Sequence, residues 1–436
     1  MGCSVADRPG MDFDRERTGD PKAGNRHQTD AHDVRSNPEL CSPFPMNPAF
    51  GQGPASCESP FRAESLLSEL AEAAAERRFA VAPNPCVGAA LLDDEGRELA
   101  RGFHERWGGA HAEVEAIEAA RAAGVDPDRW HTLVVTLEPC SSQGKTPPCT
   151  DAIVAAGIKR VIVGATDPDP RHRGAGLEAL AAAGLEVEFE PSGSPLARVA
   201  PYFQEWTAHE RLRRPRPWLI AKWAQTLTGQ LLPPADVGQG RWISTEASRL
   251  EVQRLRRSVD AIFTGIGTVR ADDPRLSLRG EAARGAKPPL RIILDTELGT
   301  PPDARLLQPV AEGEAAGLTY ILCRAGASPA RHRALREAGA RIHSLRPGPD
   351  GRMPLRDVLA WAWRFGVRRA MLEAGPKLIQ SCFDAGFVDQ MRVYSGSVRG
   401  GRGESLAPLL SRLELRQRMD REVDGDAVVH AFPRAL

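Results

Sequence analysis

His111-Ala112-Glu113-Val114 and, further on, Pro139-Cys140-Ser141-Ser142-Gln143-Gly144-Lys145-Thr146-Pro147-Pro148-Cys149 bracket the stretch that decides the fold. A catalytic zinc site needs three protein ligands and an open fourth position. His111, Cys140 and Cys149 offer a neutral imidazole and two thiolates, which together neutralise the dication. The metal lowers the pKa of its water, so hydroxide is available near neutral pH. Glu113, two residues from His111 at the same helix start, is not needed as a ligand. It can take the water's proton and pass it to a ring nitrogen and then to departing ammonia. His-x-Glu followed by Pro-Cys and a further Cys is the signature of zinc-dependent nucleobase deaminases. A purely structural zinc site would carry four protein ligands, and no fourth candidate stands beside these three. Buried thiols without metal are the plain alternative.

Outward from this stretch, the hydrophobic pattern alternates between helical and strand periods. Leu66, Leu67, Leu70 and Ala74 recur at helical spacing. A strand is expected across Asn84 to Leu92, a turn at Asp94-Glu95-Gly96, and an antiparallel return over Glu98 to Gly102. Helices over 111–123, 150–156 and 176–183 alternate with strands over 131–137, 160–165 and 185–189, which implies a layered α/β sheet. A last helix over 195–210 leads into Arg211-Leu212-Arg213-Arg214-Pro215-Arg216-Pro217, whose charge and prolines suit an interdomain connector. A second βα alternation starts at Trp218 and runs through strands near 260–264, 290–294, 319–323, 341, 369–373 and 388–394. Helices are expected over 244–258, 329–339 and 355–364 and after Pro376.

Bulk properties set outer limits. A chain of 436 residues suggests two to three domains. The 57 basic residues balance 57 acidic ones, so no global field draws nucleic acid or a membrane surface. No apolar run reaches the roughly 20 residues of a membrane helix, and no apolar segment of the secretory kind is seen near Met1. The eight cysteines are scattered, which suits a reduced, cytoplasmic protein. Residues 1–60 lack a sustained hydrophobic period and read as a disordered extension, with Met11 or Met46 as alternative starts.

The motifs resemble one family in particular. Pro83-Asn84-Pro85-Cys86-Val87-Gly88, His111-Ala112-Glu113-Val114, the Gly144-Lys145-Thr146-Pro147-Pro148 insert between the cysteines and Asp167-Pro168-Asp169-Pro170 are similar to the deaminase half of the bacterial bifunctional riboflavin biosynthesis enzymes. Lys222-Trp223-Ala224-Gln225-Thr226-Leu227-Thr228-Gly229, Arg241-Trp242-Ile243-Ser244, Leu255-Arg256-Arg257-Ser258 and Gly267-Thr268-Val269-Arg270-Ala271-Asp272-Asp273-Pro274 are similar to its reductase half, as is the Glu373-Ala374-Gly375 turn.

The resemblance implies a cytidine-deaminase-like three-layer domain over 63–208, followed by a dihydrofolate-reductase-like domain over 216–436. It implies hydrolytic deamination of 2,5-diamino-6-(5-phosphoribosylamino)pyrimidin-4-one, then NADPH-dependent reduction of 5-amino-6-(5-phosphoribosylamino)uracil to the ribitylamino product. By the same resemblance Asn84, His104 and Lys145 hold the first substrate. Arg256, Leu276, Arg279 and Glu373 hold the second, and Ala224, Trp242, Thr268, Asp272 and Gly375 contact NADP. Arg256 and Arg279 present planar forks suited to a sugar phosphate. Gly265-Ile266-Gly267 and Gly375 allow close approach of backbone amides to a pyrophosphate.

Five positions, in four places, depart from the family's pattern. Ser142 stands where it usually has His, Thr226-Leu227-Thr228-Gly229 where it commonly has Ser-Leu-Asp-Gly, Gly240 where it often has Ser, and Ala374 where it has Gly. The implied partner is a small phosphorylated pyrimidine, with a homo-oligomer left open. Three alternatives stay in play: a deaminase whose reductase half is inactive, a nucleoside or tRNA deaminase fused to an unrelated domain, and a metal-bearing binding module.

Overall fold

The computed structural model describes residues 63–142, 147–167, 169, 172–189, 215–237 and 242–435. The disorder expected over 1–60, the helix expected over 195–210, and Lys145, Gly240 and Arg241 lie outside the described residues.

The first half is built from α1 (Ala63–Ala75), α2 (Arg78–Val81), β1 (Gly88–Leu92), β2 (Glu98–Phe103), α3 (Ala112–Ala122), β3 (Thr132–Val135), α4 (Cys149–Ala155), β4 (Arg160–Val163), α5 (Ala175–Ala182) and β5 (Glu186–Phe189). The strands form one sheet in the order β2-β1-β3-β4-β5. β1 runs antiparallel to β2 and β3, and β3, β4 and β5 are parallel.

Both faces of this sheet are covered, so its central strands are apolar on successive residues. Ala89, Leu91, Leu133, Val135, Val161 and Val163 face Ile117, Ile153 and Leu180 of α3, α4 and α5. Ala90, Leu92, Val134 and Ile162 face Leu66, Leu67 and Leu70 of α1. Gly102 lets α3 lie directly on β2. A Cβ there would sit 2.1 Å from the Ala116 nitrogen, so any other residue would lift the helix that carries Glu113.

The second half contains β6 (Trp218–Gln225), β7 (Gln230–Leu232), β8 (Ala261–Gly265), β9 (Leu278–Arg279), β10 (Leu290–Leu294), β11 (Glu314–Ala315) and β12 (Thr319–Arg324). It continues with β13 (Arg341–Leu345), β14 (Arg369–Leu372), β15 (Gln390–Ser395), β16 (Arg402–Ser405), β17 (Leu413–Val423) and β18 (Asp426–Ala435). Nine strands form one sheet in the order β13-β12-β10-β8-β14-β6-β15-β18-β17. It is parallel from β13 to β15, and the last two strands are an antiparallel hairpin added at one edge.

One face packs Leu219, Ala221, Phe263 and Leu372 against Trp361, Ile379 and Phe383. The other packs Ile220, Ile262 and Met371 against Val252 and Leu255 of the helix Glu246–Arg257. Where the chain enters β6, Arg216 grips Asp389 through two parallel bonds, Nη1 to Oδ2 at 2.6 Å and Nη2 to Oδ1 at 2.7 Å. The adjacent carboxyl ends of β6, β14 and β8 form the kind of crevice in which open α/β sheets bind ligands.

The expected helices and strands recur within a few residues in both halves. Gly265-Ile266-Gly267 carries the chain from β8 directly into a helix over Ile266–Asp272, with Gly265 at its N-cap. The β17–β18 hairpin and the small β9–β11 and β7–β16 ribbons were not anticipated. Among the described residues, no helix is long and apolar enough to cross a membrane.

Candidate active sites

His111 is the N-cap of α3, with extended backbone (φ −81°, ψ 164°) that turns its ring off the helix. Cys149 is the first residue of α4, and Cys140 lies in the segment after β3. The folding of three separate elements thus converges on one point. Cys149 Sγ is 3.2 Å and Cys140 Sγ 3.6 Å from His111 Nδ1, and the Cys149 N–H donates to Cys140 Sγ at 3.4 Å. The three ligand atoms all lie within 4.8 Å of one another. A second bond, from the Cys149 thiol itself, holds the Cys140 thiol down to about 4, against burial and with help from His111. Cys149 is pushed up, because it gives that bond and is itself buried. Left to themselves the pair favours one thiolate and one thiol; a divalent cation deprotonates both.

Glu113 lies in the first turn of α3 and is buried. Burial raises its pKa above the usual carboxylate range. Its Oε2 is buried and has no hydrogen-bond partner among the described residues. An orphaned carboxylate oxygen in a dry site costs free energy unless something polar fills the space beside it. A His-Cys-Cys set with this oxygen next to it fits zinc and an activated water.

Asn84 and His104 are brought together beside the triad. The His104 ring stands edge-on to His111, with centroids 5.2 Å apart. Burial lowers its pKa to about 4, so the ring is neutral at pH 7. His104 Nδ1 is 2.8 Å from the Ala110 carbonyl, which can only accept. Nδ1 therefore carries the proton, and Nε2 accepts from Asn84 Nδ2 at 3.2 Å. Cys86 is a buried core residue, as expected from its neighbours, and Ser142 is exposed.

The sequence reading missed Glu138. Its carboxylate accepts backbone N–H bonds from Asp167 (3.0 Å), Gly174 (2.9 Å) and Gly176 (2.9 Å). A Cβ on Gly176 would lie 2.0 Å from the Pro139 carbonyl oxygen, so this loop is pressed onto the Pro139-Cys140 backbone. The signal was an acidic residue directly before Pro-Cys at the end of a buried strand. Glu138→Gln places an amide N–H2 against these donors and is expected to weaken zinc retention by roughly tenfold. Competition with a chromophoric chelator measures this, and unchanged affinity would refute the role.

In the second half, Glu373 follows β14 at the floor of the crevice. Arg256 Nε and Nη2 donate to its carboxylate at 3.1 and 2.9 Å, and Lys222 Nζ on β6 approaches at 3.4 Å. Burial alone would raise Glu373, but Arg256 and Lys222 hold it below the usual range. Burial lowers Lys222, partly offset by Glu373. Lys222, quoted in a matching motif but given no role, is thus a functional candidate that the sequence reading missed.

Arg256 Nη1 also donates to the Ser277 carbonyl, next to Leu276. Asp273 and Leu276 have positive φ (40° and 51°), a strained conformation for residues with side chains. Arg291 Nη1 supports the same loop through the Arg275 carbonyl. Arg279 is not gathered into this cluster: it is exposed and faces Glu314, 3.4 Å away.

The expected cofactor residues divide in the same way. Thr268 Oγ1 accepts the Gly375 N–H at 2.8 Å, so the turns after β8 and β14 are tied side by side. A Cβ at Gly267 would meet nothing within 4 Å, and one at Gly375 only Thr268 Oγ1 at 3.6 Å. This open backbone at two neighbouring helix starts fits a dinucleotide pyrophosphate. Ala224, next to last in β6, lies beside Tyr394 of β15. Trp242 is half exposed with Arg249 over its ring at 4.9 Å, and Asp272 is exposed.

Two family models match the chain: the cytidine and deoxycytidylate deaminase zinc-binding region over residues 62–165, and the RibD C-terminal domain over residues 217–429. Fold and sites together define a zinc-dependent deaminase joined to a reductase on one polypeptide. The riboflavin biosynthesis protein RibD of Aquifex aeolicus (strain VF5) is 34% identical over 363 residues, which cover 82% of this chain and 94% of that protein. RibD of Escherichia coli (strain K12) is 31% identical over 385 residues, 84% of this chain and 98% of that one. The chain belongs to the RibD family of bifunctional riboflavin biosynthesis enzymes.

Among solved structures, Acinetobacter baumannii RibD aligns with a TM-score of 0.58 at 26% identity, covering 85% of this chain and 99% of that one. A Thermotoga maritima diaminohydroxyphosphoribosylaminopyrimidine deaminase/5-amino-6-(5-phosphoribosylamino)uracil reductase gives 0.58 at 26%, covering 86% and 100%. The matches span both halves, so the readings as a deaminase-only enzyme, as a deaminase with an unrelated partner domain, or as a binding module gain no support.

Proposed function

We propose that residues 63–208 remove the 2-amino group of 2,5-diamino-6-(5-phosphoribosylamino)pyrimidin-4-one by hydrolysis. Residues 216–436 then reduce the ribose of 5-amino-6-(5-phosphoribosylamino)uracil to a ribityl chain. The observation that carries the reading is the convergence of His111, Cys140 and Cys149 on one point beside the partnerless Glu113 Oε2. When bound, zinc activates a water for addition to the amidine carbon, and NADPH supplies the hydride. His111, Cys140 and Cys149 would hold the metal. Glu113 takes a proton from the attacking water and passes it to the ring nitrogen, then takes the second proton from the added hydroxyl and passes it to the leaving amine as the carbonyl forms. Asn84 and neutral His104 orient the pyrimidine, and Lys145 meets its polar edge.

In the reductase half, Ala224, Trp242, Thr268, Asp272 and Gly375 would hold the dinucleotide. Arg256, Leu276, Arg279 and Glu373 bind the phosphoribosylamino group, and Lys222 stands ready to supply a proton as the sugar carbonyl is reduced. The substrates are small phosphorylated pyrimidines, and the balanced charge fits such partners better than nucleic acid. None of the described cysteines is in a disulfide, in keeping with a reduced, cytoplasmic setting.

The test is a coupled assay of the purified chain on the diaminopyrimidine phosphate, reading ammonia and NADPH in the same reaction. Ammonia release followed by NADPH oxidation is expected. Ammonia without NADPH oxidation, when the deaminated product is supplied directly, would remove the second activity.

A further inference from the structure

Phe79 belongs to α2 in the first half, yet its ring packs in the second. Its centroid lies 4.8 Å from that of Phe432 and 5.1 Å from that of His430, both on β18. It is buried in the cluster that holds Trp218, Ile220 and Met371. The backbone around it is gripped by Arg369, the first residue of β14, which is 1% exposed. Arg369 Nη1 donates to the Ala80 carbonyl and Nη2 to the Phe79 carbonyl, both at 2.9 Å. Gln390 Nε2 adds a third bond, to the Phe79 carbonyl at 3.2 Å, and is itself held by Trp218 Nε1.

The gripped carbonyls lead straight to the deaminase site. The Ala80 carbonyl also accepts the Trp107 N–H at 3.0 Å, which fixes the loop between His104 and Ala110. The Val81 carbonyl accepts the Asn84 N–H at 3.0 Å. Asn84 and His104 are the bonded pair beside His111. One side chain of the reductase sheet therefore holds two adjacent carbonyls, one of which also fixes the His104–Ala110 loop, while Asn84 is bonded to the next residue, Val81.

We propose that Arg369 is a positioning residue for deamination, acting across the boundary between the two halves by fixing Asn84 and His104 through the Phe79 and Ala80 carbonyls. This rests on the reading above that Asn84 and His104 hold the pyrimidine. It makes the reductase half a structural part of the deaminase, independent of reduction itself.

The test uses the full chain with zinc bound. Arg369→Met keeps length and apolar bulk but removes one donor from each carbonyl, leaving Gln390 Nε2 on Phe79 and the Trp107 N–H on Ala80. It is expected to raise the deaminase KM about tenfold, the worth of roughly one such bond. Zinc content and the reductase kcat/KM on the deaminated substrate should stay within about twofold of the parent, a margin of a few tenths of a kcal/mol. A merely structural role would show the reverse pattern, because Arg369 lies on the strand leading to Glu373 and the reductase would suffer first.

Arg369→Lys restores one donor and is expected to recover part of the KM. If Arg369→Met does not fold, Arg369→Lys carries the test alone, against the parent. Asn84→Ala is measured beside these variants. If it raises KM and the Arg369 variants do not, the inference fails and the site reading stands. If Asn84→Ala leaves KM unchanged, the site reading fails and takes the inference with it. If both raise KM, the double variant should rise by less than the product of the two, and full multiplication would overturn the coupling.

Discussion

Glu113→Gln is expected to slow ammonia release by about 100- to 10,000-fold, the usual worth of a positioned acid–base group. Glutamine keeps the size of the side chain and its place in the first turn of α3, but it cannot take a proton from water. Zinc should remain at one per chain, since His111, Cys140 and Cys149 are untouched. Reduction of the deaminated substrate should be unchanged, because the Glu373 cluster lies in the other sheet. Metal analysis, ammonia release and NADPH oxidation on one preparation separate these outcomes. Deamination within about tenfold of the parent would show that Glu113 is not the proton carrier, since that is below the range for such a group. Glu113→Ala should be equally inactive and should also relieve the buried, partnerless Oε2.

Glu373→Ala is expected to destabilise the reductase half by about 3–5 kcal/mol, because removing one partner of a buried ion cluster leaves the others uncompensated. Arg256 and Lys222 would remain in the crevice with side-chain exposures of only 11% and 13%. Arg256 would also lose the carboxylate that orients it toward the Ser277 carbonyl, and with it the support of the loop bearing Leu276. NADPH oxidation should therefore be lost together with stability, as read by urea unfolding. Glu373→Gln, which can still accept one hydrogen bond, should fall between. A Glu373→Ala protein within about 1 kcal/mol of the parent would mean that water compensates the two cations and that the cluster is not dry.

How much of this was legible in the sequence depended on distance along the chain. The zinc ligands were readable because their types and spacing state the chemistry, and α3 and α4 then carry His111, Glu113 and Cys149 together. The alternating elements were readable because sheets covered on both faces leave continuous apolar strands between helical periods. Lys222 was not readable as part of a site: its partner Glu373 is 151 residues away, and a lysine within a strand carries no sign of burial.

Glu138 was missed for a related reason. It binds backbone N–H groups, which leave no trace in residue identity. The terminal hairpin escaped because β17 is rich in arginine and its register shifts between Arg416 and Met419, around a positive φ at Gln417. That shift blurs the period-two pattern by which strands are recognised. Arg256 was read as a planar fork for a sugar phosphate; in the structure that fork bonds Glu373, a partner 117 residues away that local sequence does not reveal.

On the ribosome, β6 and β8 emerge well before β14, the strand that will separate them. Until Arg369–Leu372 arrives, each offers a row of unpaired backbone groups along the edge that β14 will fill. The zinc-bearing sheet has all its strands once Phe189 has been made, so it can close while the rest is still being translated. The open strand edges in this interval lie in the reductase half, and Phe79 of the first half stays uncovered until β14 and β18 are made. A chain released before Arg369 carries a closed deaminase sheet tethered to an adhesive one, and aggregation of such fragments would start from the gap between β6 and β8.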